Sequence, residues 1–165
     1  MGNFEYPQGM ASTKRIQHAI NSLKKYENIR IQVIILRQSS KSNPASGVYN
    51  DIPYQTIGPD YQRLNLVLKF PIYLFRGIQM INKVFCKESK NILHIYHTPT
   101  FDNIFLVLYA QKKGFKIIFD FVEDYNHYQW KAKPLRYKID KFITLKLQSW
   151  IKKYTDGVIV ISTHL

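Results

Sequence analysis

At 165 residues, with 45% hydrophobic content, 12 Tyr and 10 Phe, the chain is an ordinary single domain with its own core, not a disordered segment. Its 24 Lys and Arg against 11 Asp and Glu give a formal charge of +13, which favours anionic partners: nucleic acid, anionic lipid or phosphorylated ligands. The one cysteine, Cys86, excludes an internal disulfide, and no run approaches the roughly 18 apolar residues of a membrane-spanning helix.

The start, MGNFEYPQG, has no charged-then-apolar signal pattern, so a cytoplasmic chain is expected. Residues 5–11 read as a loop, broken by Pro7 and Gly9. Ser12 or Thr13 is expected to cap a helix running to about Tyr26, with Ile16, Ala19, Ile20 and Leu23 as its apolar stripe. Such a helix should follow a strand, and only Asn3-Phe4 precede the loop, so the first strand of the sheet is expected to be missing.

Ile31 to Leu36 reads as a buried strand and residues 38–51, QSSKSNPASGVYND, as a polar loop. Tyr54 to Ile57 reads as a short edge strand stopped by Gly58-Pro59. Asp60 to about Phe85 has helical periodicity, broken or kinked near Pro71, with Cys86 placed within that helix. Ile92 to Tyr96 is a strand, Phe101 to Lys113 a helix closed by Gly114, and Phe115 to Phe119 a further strand ending at Asp120. Leu135 to Tyr154 is a long helix. It leads into the run Val158, Ile159, Val160, Ile161, the pattern of a strand buried on both faces of a parallel sheet. Strands separated by helices predict an α/β fold: a Rossmann-like parallel sheet with helices on both faces.

Four stretches in this order carry a resemblance. FEYPQGMASTKRIQHAINSLKK resembles the first loop and helix of family 4-like glycosyltransferases of the GT-B fold. NILHIYHTPTFDNIF resembles their fourth strand with its histidine-bearing exit, KIIFDFVEDYNHY the strand and acidic loop that follow, and YTDGVIVISTHL the strand that closes the N-terminal domain. The resemblance implies that residues 1–165 are the N-terminal, acceptor-side domain, truncated at both ends and lacking the first strand. The C-terminal donor-binding domain is then the missing partner. No cofactor is implied for this domain, and a nucleotide-sugar donor is implied for the full enzyme. The implied reaction moves a sugar to a cell-envelope glycan or glycolipid, and the isolated chain is expected to be inactive.

The resemblance also selects site residues. Gly9, Ser12 and Thr13 open the first helix, where free backbone N–H groups and the helix dipole attract phosphate. Many family members have two adjacent glycines there; this chain has Gly9-Met10. His97 follows a strand at the carboxyl edge, where an imidazole can bind a sugar hydroxyl or take its proton, and His94, within the same strand, is the weaker candidate. Asp120, Glu123, Asp124 and His127 cluster after the next strand; Asp124 and Asp120 are the expected catalytic carboxylates, with Glu123 and His127 as substrate contacts. Arg63, Lys69, Arg76 and Lys83 alternate with apolar residues over 61–90, a pattern that suits either an anionic membrane surface at the inner face of the plasma membrane or a buried helix with snorkelling lysines. No metal-ligand spacing stands out, and there is no P-loop or nucleophile elbow. The alternative reading is a basic nucleic-acid-binding module, argued from charge and aromatics alone, although no RNA- or DNA-binding signature is present.

Overall fold

Short apolar strand runs alternate with amphipathic helices along the chain, and a computed structural model shows the mixed α/β architecture this pattern predicts. The structure describes residues 1–2, 4–36, 43–58, 66–97, 101–121, 142–143, 145–149 and 153–160. These fall into two units, Met1–Val84 and Phe85–Leu165. Each carries a three-stranded sheet.

In the first unit, helix α1 (Ala11–Leu23) precedes β1 (Val33–Ile35), β2 (Ser46–Tyr49), β3 (Ile52–Thr56) and helix α2 (Leu66–Val84). All three β1 residues are buried, as expected of a strand covered on both faces. The sheet order is β1-β3-β2, with β1 parallel to β3 and β2 antiparallel to it. The expected edge strand near 54–57 is therefore the central strand, and the expected polar loop 38–51 contains β2. The reason is the turn: Asn50 and Asp51 have φ of 48° and 63°, the left-handed pair that a two-residue hairpin requires. Asn and Asp tolerate that region better than other side chains, so Tyr49 and Ile52 pair directly across the turn.

No strand precedes α1 among the described residues, and a single bridge stands at the place expected for one. Gly2 forms a parallel bridge with Ile35, donating its N–H to Ile34 O at 3.2 Å and accepting from Leu36 N at 2.8 Å. One residue thus occupies the free edge of β1. Phe4 and Tyr6 continue from it into the core. Tyr6 packs edge-to-face on Tyr54 at 5.4 Å and on Tyr49 at 5.9 Å between ring centroids. Burial raises the Tyr6 phenol above its usual pKa, and the neighbouring Tyr49 and Tyr54 add to that rise.

Neither expected cap holds α1. The N-cap is Met10, without a side-chain cap bond, because Ser12 and Thr13 already lie inside the first turn. Helix α2 runs without a break through Pro71 and ends at Val84, so Cys86 lies beyond it and is exposed. Tyr73, Gly77, Met80 and Ile81 form its buried stripe, while Phe75, Arg76 and Lys83 are exposed.

The second unit is built as β4 (Ile92–Tyr96), helix α3 (Phe101–Lys113), β5 (Lys116–Phe121) and β6 (Gly157–Val160), in sheet order β4-β5-β6 and parallel throughout. This is the parallel pairing of 92–96 with 115–119 that the sequence predicts. Helix α3 buries Ile104, Leu106, Val107 and Ala110, and Gly114 ends it at φ 98°. Phe115 N donates to Ala110 O and Gly114 N to Gln111 O, each at 3.0 Å, the paired bonds of a Schellman cap. Residues 142–143 and 145–149 are helical, within the expected 135–154.

Strand β6 is not the buried strand that its sequence predicts. Val158, Ile159 and Val160 are 45%, 44% and 46% exposed. Their place at the end of the sheet order leaves one edge without a neighbour among the described residues. The approach to β6 is well fastened: Asp156 receives Lys116 Nζ at 2.7 Å and Ile117 N at 2.9 Å, and Asp156 N donates to Ile117 O at 2.8 Å. The bond from Lys116, then that from the Ile117 N–H, holds the Asp156 carboxyl below its usual pKa. Among the described residues no helix is long and apolar enough to cross a membrane.

Candidate functional site

Parallel pairing brings the carboxyl ends of β4 and β5 side by side, the edge where open α/β sheets place ligands. Tyr96 pairs with Asp120 and His94 with Ile118, so His94, Tyr96 and Asp120 project from one face of the sheet. The Asp120 side chain is 6% exposed and that of His94 35%. His94 Nε2 lies 3.7 Å from Asp120 Oδ2, within ion-pair range for a protonated imidazole and beyond a hydrogen bond. The signal that identifies His94 is its parity with Asp120 across the register of β4 and β5.

His97 ends the strand with φ 87°, a region that non-glycine residues rarely occupy. Its N–H donates to Asp120 O at 2.9 Å, extending the ladder one step past Tyr96, and its ring stands edge-on to Tyr96 at 6.3 Å. Strained backbone of this kind costs on the order of 1–3 kcal/mol and clusters at functional sites. His97, Asp120 and His94 thus share one sheet edge. A buried carboxylate with an imidazole 3.7 Å away can orient a hydroxyl and accept its proton. Glu123, Asp124 and His127 lie outside the described residues.

The loop that opens α1 is a second, separate constellation in the first unit. Gly9 is exposed, Ser12 half-buried and Thr13 buried. Thr13 Oγ1 donates to Glu5 O at 2.5 Å, Gln17 Nε2 to Pro7 O at 2.9 Å, and Asn43 Nδ2 to Gln8 O at 2.8 Å. Asn43 Oδ1 accepts from Gln8 N, also at 2.8 Å. The loop carbonyls are therefore bound by the protein itself. Asn43, buried and 35 positions away, was not legible in the sequence because its partner is a backbone group.

Of the expected membrane-facing residues, Arg76 and Lys83 are exposed on α2. Arg63 and the Lys69 side chain lie outside the described residues. No three His, Cys, Asp or Glu side chains assemble into a metal-binding group among the described residues. No family model matches the chain, and neither a curated protein nor a solved structure does.

Proposed function

We propose that the chain is the acceptor-side part of a GT-B glycosyltransferase, moving a sugar from a nucleotide donor to a cell-envelope glycan or glycolipid. One observation carries the reading. At the carboxyl edge of a parallel sheet His97, at φ 87°, donates its N–H to the Asp120 carbonyl, and the buried Asp120 carboxylate lies 3.7 Å from His94 Nε2. This edge suits recognition of a hydroxyl-rich acceptor. Asp120 or Asp124 would take or orient the hydroxyl proton and His97 would hydrogen-bond the sugar. No stretch of the sequence resembles the donor side, so the chain alone transfers no sugar.

Backbone amide shifts of chain 1–165, followed by NMR during titration with oligosaccharide and glycolipid acceptors, test the proposal. Perturbations at His97 and Asp120 with an acceptor, and none with a nucleotide sugar alone, are the expected result. Silence across an acceptor panel, with oligonucleotide binding that falls steeply as salt rises, would replace it with the nucleic-acid reading.

A further inference from the structure

The segment that closes α1 leaves three apolar side chains in water. Leu23, Tyr26 and Ile29 are 41%, 65% and 45% exposed. Tyr26 N donates to Leu23 O at 3.1 Å and Ile29 N to Tyr26 O at 3.3 Å, so two successive turns hold this three-residue spacing. Lys24, Lys25 and Arg30 are exposed among them, and Glu27 is the single carboxylate within 22–30. Lys24 Nζ donates to Asn50 O at 2.9 Å and lies 3.4 Å from Asp51 Oδ2, which ties the segment to the β2-β3 hairpin.

We propose that residues 23–30 dock the protein on an anionic lipid surface. Apolar side chains interleaved with cations are the composition of an interfacial segment, in which the apolar groups enter the acyl boundary and the basic groups stay among the headgroups. Tyr26 suits that boundary, having an apolar ring and a polar tip. The excess of cations over Glu27 complements an anionic headgroup plane. The aliphatic pair decides against nucleic acid, since Leu23 and Ile29 have neither charge for phosphate nor a ring on which a base can stack. The 13 residues of α1 separate this segment from the loop at residues 5–10 by about 20 Å, so docking leaves that loop uncovered. The inference goes beyond the proposed function and does not depend on sugar transfer.

Co-sedimentation of chain 1–165 with phosphatidylcholine vesicles, with and without phosphatidylglycerol, tests the inference. Binding should require phosphatidylglycerol. Lys25→Gln with Arg30→Gln should weaken it by about fivefold per charge, on the order of thirtyfold together. Leu23→Ser, Tyr26→Ser and Ile29→Ser combined should weaken it at least tenfold with the circular dichroism spectrum unchanged, since all three side chains are exposed. Equal binding to neutral and anionic vesicles would overturn the inference. So would full binding by both variants, loss of binding only with Arg76→Gln and Lys83→Gln on α2, or displacement from vesicles by a single-stranded oligonucleotide.

Discussion

Thr13 Oγ1 occupies the space that a side chain at Gly9 would fill, and from there it donates to the Glu5 carbonyl. A Cβ at residue 9 would also meet Glu5 Cβ and Thr13 Cβ, each at 3.1 Å. The glycine is therefore required by this packing, whatever ligand approaches the loop. Gly9→Ala should displace the hydroxyl from its bond and destabilise the protein by about 1–3 kcal/mol in urea unfolding. Thr13→Ala removes the same bond, so the double variant should lose less than the sum of the singles. Strict additivity would show that the two residues act independently.

The hairpin turn gives a second test. Asp51 sits at φ 63°, which glycine adopts without strain. Asp51→Gly should stabilise the protein by about 0.5–1 kcal/mol, although it gives up the exposed contact with Lys24. Asp51→Val places a β-branched residue in the same region and should destabilise it by roughly 1–2 kcal/mol. Equal melting of the two variants would contradict the turn geometry.

Asp156 predicts a dependence on pH. Its carboxyl is held below its usual value chiefly by Lys116, so its contribution is present above the unfolded pKa of about 3.9 and disappears as pH falls through the folded value. Asp156→Ala should melt below the wild type at neutral pH, and the gap should close in acid below about pH 4. A gap that persists unchanged in acid would mean that the loss comes from packing.

His97 should show stability and function in opposition. His97→Gly relieves φ 87° and should raise stability by on the order of 1 kcal/mol. The same variant removes the imidazole, so acceptor-induced shifts at Asp120 should weaken or vanish. Retained shifts would remove His97 from the proposed site.

In an enzyme completed with a donor-binding domain, the two carboxylates are separated by their Asn variants. The one serving as base should lose on the order of a hundredfold or more in turnover, with melting unchanged. The one that only pairs or packs should keep turnover and melt lower. Asp120, buried at the strand end, is expected to show some cost in stability in either role.

The local pattern of the sequence determined much of the second unit. Apolar strand runs at 92–96 and 115–119, a helix between them and a glycine after Lys113 are enough to specify a parallel βαβ unit, because each signal concerns neighbours in the chain. The buried β1 and the helical periodicity of α2 were legible for the same reason. Tertiary structure decided what depends on distant partners. The hairpin at 46–56 carries no local signal because its turn is Asn-Asp, without the glycine that usually marks such a turn. The Asn43 bonds to Gln8 span 35 positions and follow no period. Composition made β6 look buried, but its place at the end of the sheet order left Val158 to Val160 exposed. At the candidate site the sequence supplied the histidines and the carboxylate. Only the register of β4 against β5 set the His94 ring near the Asp120 carboxylate and the His97 N–H on the Asp120 carbonyl, since pairing between strands is fixed by burial and hydrogen bonding across the sheet and not by any local preference.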